Sequence, residues 1–491
     1  MPSSQLPGPC RPRGPGGLYP SETALAAPFL PGRGRPRPAV RYPRGRRQGG
    51  SLGNHEPAKR RPRVERLDAR QEGGEEKGEG GRAGHGRTRG PQQVGDRDDR
   101  RDGRRGPLLL AQEVRRQHRR VTEDGFLRPS LSALVPYEPG KPVEEVQREL
   151  GLERVVKLAS NEGPYGPFPE ALEAMTRSAG ELNRYPDGGA YRLRVALADR
   201  CGVAFEELAI GAGADGLIDC LSQAVLDPGD EIVCGWPSFP SYVIDAVKLG
   251  AVPVKVPLAS HRYDLPALLE AVTERTKLVY VCTPNNPTGT MTTRAELDDY
   301  FGRVPEHVLT VVDQAYFEYI DEPDYPDAIA EHFQAGRRVL VTRTFSKIYG
   351  LAGLRVGYAV GPADVVTAIG KVRRAFDLNT QAQVAALASL DAPGELTRRR
   401  AANREGREQL GAILQRHGFA PVGSAVANFV YAETGEDGQV LFDALLREGV
   451  IVRPLAGFGA PEAIRVTVGT DEELAFFDEA LGRVRASAVT W

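Results

Sequence analysis

The sequence predicts an α/β protein in three layers, a mostly parallel sheet between helices, followed by a smaller α+β domain. Three observations carry that expectation. From about residue 155 short apolar runs alternate with helical stretches. The runs are nearly continuous in Val, Ile and Leu, as strands buried on both faces are. Near residue 380 the rhythm changes to a long helix and then to short strands and helices.

Ahead of that pattern lies a different kind of chain. Of 491 residues, the first 120 hold 28 Lys+Arg against 13 Asp+Glu, while the whole chain has a net charge of −1. The same stretch contains 36 Gly and Pro and almost no run of large apolar side chains. It cannot bury enough apolar surface to offset the entropy lost on ordering, so a disordered Arg/Gly/Pro-rich extension is expected. Its basic charge could contact nucleic-acid phosphates. With no aromatic interleaving, a solvated tail, or a start codon assigned too far upstream, explains it more simply.

Other classes drop out on composition. No run of about 18 apolar residues is present, so no membrane span is expected. Met1-Pro2-Ser3-Ser4 does not open a charged region with an apolar core behind it, as a secretory signal would. Five cysteines (Cys10, Cys201, Cys220, Cys234, Cys282) form no Cys-x-x-Cys pair, and seven histidines are scattered. That pattern fits reduced thiols in a cytosolic protein, with neither a disulfide framework nor a metal site.

The elements then follow in order. Residues 214–226 place apolar side chains at helical spacing, and Pro228-Gly229-Asp230 turns the chain into a strand at 231–234. Further strands are expected at 278–282, 308–312 and 338–342, with a helix at 293–301. In the smaller domain the expected order is strand 429–432, helix 441–448, strand 451–453 and strand 464–468.

Reactive side chains in open α/β sheets gather at the carboxyl ends of strands. Four segments fall there: Gly211-Ala212-Gly213-Ala214-Asp215, Thr283-Pro284-Asn285-Asn286-Pro287-Thr288-Gly289, Asp313-Gln314-Ala315-Tyr316 and Thr344-Phe345-Ser346-Lys347. Each has an ordinary reading as a turn, a helix cap or a common dipeptide. Asn286, Asp313 and Lys347 are 27 and 34 residues apart, about one αβ step each, so they can converge at one sheet edge. A lysine can form an imine with an aldehyde, and an aspartate can keep a pyridine nitrogen protonated. Asn286 and Tyr316 can bond a ring hydroxyl, while a Gly-rich helix start, Ser346 and Arg355 suit a phosphate. Together these are the groups that pyridoxal 5′-phosphate requires.

Residues 135–485 resemble the class II aminotransferases of fold type I, and within them the histidinol-phosphate aminotransferases. The resemblance rests on Lys157-Leu158-Ala159-Ser160-Asn161-Glu162, Asn183-Arg184-Tyr185-Pro186-Asp187, Gly213-Ala214-Asp215, Pro237-Ser238-Phe239-Pro240-Ser241-Tyr242 and Asn285-Asn286-Pro287-Thr288-Gly289. It continues through Arg343-Thr344-Phe345-Ser346-Lys347-Ile348-Tyr349-Gly350-Leu351-Ala352-Gly353-Leu354-Arg355 and Ile464-Arg465-Val466-Thr467-Val468-Gly469-Thr470.

The resemblance implies that Lys347 is the catalytic Schiff-base lysine and that Asp313 pairs with the pyridine nitrogen. Asn286 and Tyr316 would hold the ring oxygen, and Phe239 would stack on the ring. The backbone amides of Ala214 and Asp215, with Ser346 and Arg355, would bind the cofactor phosphate, joined by Tyr185 from a partner subunit. Arg465 would grip the substrate α-carboxylate with glutamate bound, Arg453 and Tyr137 would face the distal phosphate of the phosphorylated substrate, and Asn161 would complete the substrate site. It also implies amino-acid and keto-acid substrates, a cytoplasmic homodimer with shared active sites, and a role in histidine biosynthesis. The expected organisation is an extension at 1–120, an N-terminal segment of the small domain at 121–164, a large cofactor-binding domain at 165–378 and a C-terminal small domain at 379–491. Two departures stand out: Gln314 where many relatives have Glu, and Gly163 where many have Asn.

The same scaffold also serves aromatic amino acid aminotransferases and threonine-phosphate decarboxylase relatives, so those substrates stay open. A transcription regulator with an aminotransferase-like domain is a rival of another class. It requires a helix-turn-helix, and residues 1–120 lack the two amphipathic helices.

Overall fold

The computed structural model describes residues 126–136 and 139–488. The extension at 1–120 and Tyr137 lie outside them. A seven-stranded sheet organises the larger part: β1 (Leu208–Gly211), β2 (Glu231–Trp236), β3 (Val252–Pro257), β4 (Thr276–Cys282), β5 (Leu309–Asp313), β6 (Val339–Thr344) and β7 (Gly357–Val360). Its order is β1-β7-β6-β5-β4-β2-β3. All neighbours are parallel except β7, which runs antiparallel to both β1 and β6.

The four expected strands are present as β2, β4, β5 and β6, each within two residues of the anticipated ends. Every residue of β5 and β6 is buried, which requires cover on both faces and explains their unbroken apolar sequences. Helix α1 (Gly213–Val225) buries Leu217, Ile218 and Leu221 in the same core. Helix α2 (Ser241–Leu249) follows β2. Helix α3 (Arg294–Arg303) starts from a capping box: Thr293 Oγ1 accepts from the Glu296 amide, and the Thr293 amide donates to Glu296 Oε2 at 2.7 Å.

Register brings the strand ends together. Cys282 lies opposite Asp313 and Asp313 opposite Thr342, so β4, β5 and β6 deliver their following residues to one edge.

A second core, with Leu410, Leu414, Val430, Ile464, Val466 and Phe477, packs under an antiparallel sheet. Its strands are β8 (Ala420–Pro421), β9 (Phe429–Glu433), β10 (Arg453–Pro454) and β11 (Ala463–Thr467), in the order β10-β11-β9-β8. The long helix expected past residue 380 is two helices, Thr380–Leu390 and α4 (Pro393–Arg416), with Pro393 at the start of the second. The strand expected at 451–453 is also two. Val450–Ile451 pairs with Val156–Lys157, whereas Arg453–Pro454 pairs with β11. Val452 is the crossing point between sheets, and Pro454, lacking an N–H, cannot donate to the ladder it enters. No described helix is long and apolar enough to cross a membrane.

Candidate active site

Asp313 is the last residue of β5, and the next helical turn, Phe317–Tyr319, has Tyr316 before it, so Asp313 is no N-cap. Its carboxylate is buried. Oδ2 accepts from the Tyr242 hydroxyl at 2.6 Å and Oδ1 from the Ala315 amide at 3.1 Å. Burial pushes the carboxyl up from its ordinary value, and the Tyr242 hydrogen bond works against that. Tyr242 lies flat against Tyr280 at 4.2 Å and takes the Phe239 ring edge-on at 5.6 Å. Phe239, half-buried, is therefore anchored through Tyr242 to Asp313.

Lys347 leaves the turn three residues beyond the end of β6. Its Nζ lies 5.5 Å from the centroid of the Tyr316 ring. Desolvation, and then the positive charge of Arg465, lower its ammonium to about 8. About a tenth of the amine is thus neutral at pH 7, far more than for an ordinary lysine, as a nucleophile or base requires. Tyr316 accepts at its hydroxyl from Asn161 Nδ2 at 2.9 Å. Asn161 adopts the left-handed region, φ 53°, and its amide donates to Thr467 Oγ1 at 3.0 Å on β11. One asparagine therefore ties the two sheets together beside Lys347.

The start of α1 gathers groups that can donate to an anion. Helix starts present backbone amides without intrahelical partners, which suit phosphate oxygens. Ala214 and Asp215 occupy that first turn, and Ser241 Oγ donates to Asp215 Oδ1 at 2.5 Å. Arg355, at φ 56°, brings Nη1 within 3.5 Å of the buried Ser346 hydroxyl. Two glycines make the approach possible. A Cβ at Gly213 (φ +78°) would sit 2.8 Å from Arg355 Nη2, and one at Gly357 would sit 2.5 Å from the Ala214 amide nitrogen.

Two arginines complete the cleft. Arg453 on β10 and Arg465 on β11 are directly paired residues of adjacent antiparallel strands, so their side chains leave the same face. Both are buried. Arg465 Nη2 donates to the Ala159 carbonyl at 2.7 Å, Nη1 donates to Asn286 Oδ1, and its guanidinium lies over the rings of Phe429 and Phe458. Asn286 is itself buried, so the amide group from the β4 end and the arginine of the small sheet meet directly.

Tyr185 stands apart from this group: it is 82% exposed and stacks on Phe376 at 4.7 Å. The departures from the family pattern have structural partners. Gln314 Oε1 accepts from Arg343 Nη2 at 2.8 Å, and its Nε2 donates to the Pro326 carbonyl at 2.8 Å. A carboxylate could not make the second bond. Gly163 lies against the Lys347 carbonyl, which a Cβ there would approach to 3.2 Å. Tyr242, Thr467 and Gly357 were assigned no role from sequence. Tyr242 and Thr467 lie inside segments shared with the family, while Gly357 carries no signal in the sequence.

Residues 153–481 match the family described as aminotransferase class I and II. A histidinol-phosphate aminotransferase of Moorella thermoacetica is 43% identical over 360 residues, covering 73% of this chain and 93% of that protein. Another, from Carboxydothermus hydrogenoformans, is 44% identical over 361 residues, 73% of this chain and 99% of its own. The crystal structure of histidinol-phosphate aminotransferase from Sinorhizobium meliloti in complex with pyridoxal-5′-phosphate superposes with a TM-score of 0.69 at 29% identity. It covers 75% of this chain and all of that one. Aspartate aminotransferase from Thermus thermophilus with maleate gives 0.64 at 26% identity, over 73% of this chain and 99% of that one.

Proposed function

We propose that this chain, which belongs to the aminotransferase class I and II family, is a pyridoxal 5′-phosphate-dependent transaminase of histidine biosynthesis. It interconverts histidinol phosphate and 2-oxoglutarate with imidazole acetol phosphate and glutamate. The residues present fit the cofactor: a crowded glycine-lined helix start would accept its phosphate, the buried Asp313 carboxylate would pair with its ring nitrogen, and Lys347, its ammonium lowered to about 8, would supply the amine.

When bound, pyridoxal phosphate supplies an electron-withdrawing ring that stabilises negative charge at the substrate Cα. The chain's residues do the rest. Tyr242 keeps Asp313 oriented toward the ring nitrogen. Asn286 and Tyr316 hold the ring oxygen, the latter fixed by Asn161. Lys347 Nζ would hold the cofactor, and as a free amine it would take the proton from the substrate Cα. Arg465, pinned by Ala159 and Asn286, holds the substrate α-carboxylate when glutamate is bound.

The observation that carries the substrate assignment is the pairing of Arg453 with Arg465. Two buried guanidiniums that leave one sheet face at directly opposed positions concentrate positive charge there, which suits an anionic ligand. A doubly charged phosphate suits Arg453 through charge-assisted, bidentate hydrogen bonds. The exposed Tyr185 is assigned to the cradle of a second subunit in a cytoplasmic homodimer, and the domain limits anticipated at 164/165 and 378/379 belong to the same reading.

Borohydride reduction of the purified holoenzyme followed by peptide mapping tests it. Cofactor mass on Lys347 is expected, and cofactor on a different lysine would overturn the assignment.

A further inference from the structure

Arg399 is a buried charge that the reading above does not use. It lies in α4 and is 5% exposed. Desolvation lowers its guanidinium pKa from the ordinary value, so burial there carries a cost. Its one carboxylate partner, Glu395, approaches Nε at 3.3 Å and is shared with Arg398. The better hydrogen bonds go to main-chain carbonyls. Nη1 donates to Ile348 O at 3.0 Å and Nη2 to Gly166 O at 2.7 Å, with the guanidinium over the Phe168 ring at 4.4 Å.

Those two carbonyls belong to segments that meet at the lysine. Lys347-Ile348-Tyr349-Gly350 is a turn closed by the Gly350 amide on Lys347 O at 3.0 Å. Gly350 is at φ +70°, and a Cβ there would come within 2.4 Å of Gly166 O and 3.0 Å of Arg399 Nη1. A small cavity lined by Gly163, Tyr319, Ile348, Arg399 and Asn403 lies alongside, on the side where Gly163 faces Lys347 O. The turn carrying the lysine therefore abuts a cavity on that side and is held by the guanidinium.

We infer that Arg399 is a positioning residue for Lys347, fixing through the Ile348 carbonyl the turn from which the lysine side chain leaves β6. This rests on the assignment of Lys347 above. Arg399 touches neither substrate nor cofactor; it sets where Nζ can reach.

Holoenzyme carrying Arg399→Met or Arg399→Lys tests the inference, read by the pH midpoint of the cofactor's visible absorbance band, by kcat and KM, and by melting temperature. Arg399→Met is expected to lose about tenfold to a hundredfold in kcat, the scale of a misplaced reacting group, with KM within about twofold of wild type. The band's midpoint should shift from wild type, because a displaced Nζ changes its distances to the charges that act on it, Arg465 first. Arg399→Lys keeps a donor for the Ile348 carbonyl, so its midpoint should shift less and its kcat fall by an intermediate amount. A lower melting temperature with wild-type midpoint and kcat would make Arg399 merely structural and overturn the inference. Should Arg399→Met fail to fold, Arg399→Lys decides: wild-type kcat in that variant overturns it. Failure of the underlying assignment would show differently, as a band surviving in Lys347→Ala.

Discussion

The Tyr242 hydroxyl donates to Asp313 Oδ2 at 2.6 Å, across 71 positions of sequence and inside the core. Asp313 is a desolvated carboxylate, and of the groups that offset its burial the Tyr242 hydroxyl acts most strongly. The bond favours its charged form, which a ring nitrogen needs opposite it if it is to stay protonated.

Tyr242→Phe removes that donor while keeping the ring stacked on Tyr280. A hydrogen bond to a charged group contributes about 1.5–3 kcal/mol. The variant is expected to bind pyridoxal phosphate at least about tenfold more weakly, as measured by equilibrium dialysis. Unchanged cofactor affinity would remove Tyr242 from the site.

Lys347 gives the cofactor-free protein a distinctive pH dependence. Its folded value of about 8 lies below the ordinary 10.5. Between those values the unfolded chain holds a proton that the folded chain lacks. Stability therefore rises with pH across that window, by about 1.4 kcal/mol per unit, and the cost is fully present below it. Urea unfolding of cofactor-free wild type should show this slope relative to Lys347→Met. A flat difference between the two would mean that the lysine is not desolvated.

Gly357→Ala tests the cradle. The added Cβ meets the Ala214 nitrogen at 2.5 Å and the Gly213 carbonyl carbon at 2.7 Å, both backbone atoms. Forcing them apart should cost about 1–3 kcal/mol of stability. It should also weaken cofactor binding more than it lowers the melting temperature of the cofactor-free form, since the displaced amide opens the phosphate cradle. A variant that lost stability but kept full cofactor affinity would separate Gly357 from that cradle.

Arg453→Ala addresses substrate choice. A loss of about 2–4 kcal/mol in transition-state stabilisation is expected toward histidinol phosphate, as for unpairing a buried charged contact. Toward glutamate, whose side-chain carboxylate is shorter and singly charged, the loss should be much smaller. Equal drops in kcat/KM for both donors would make Arg453 a general scaffold residue.

What the sequence made legible follows from what is local. Strands β4, β5 and β6 are bounded apolar runs, so their carboxyl ends, and with them Asn286, Asp313 and Lys347, could be placed on one edge. Strands β1 and β7 are four residues each, too short for a periodic signal. Edge strand β3 carries Pro253 and Pro257 and buries only Val256 fully, which hides it among loops. The split at Val452 was not legible because one continuous β-branched run served two sheets. Contacts such as Asn161–Tyr316 and Arg465–Asn286 link positions 155 and 179 apart, and no spacing rule reaches that far. The motif that contained Tyr242 marked it as present without saying what it touches.

The most direct measurement compares kcat/KM of the purified wild-type enzyme for histidinol phosphate and for phenylalanine, with 2-oxoglutarate as acceptor. Paired arginines in the cleft predict a strong preference for the phosphorylated donor, lost in large part in Arg453→Ala. A wild type that ignores histidinol phosphate and transaminates phenylalanine would contradict the account and assign the scaffold to aromatic amino acids.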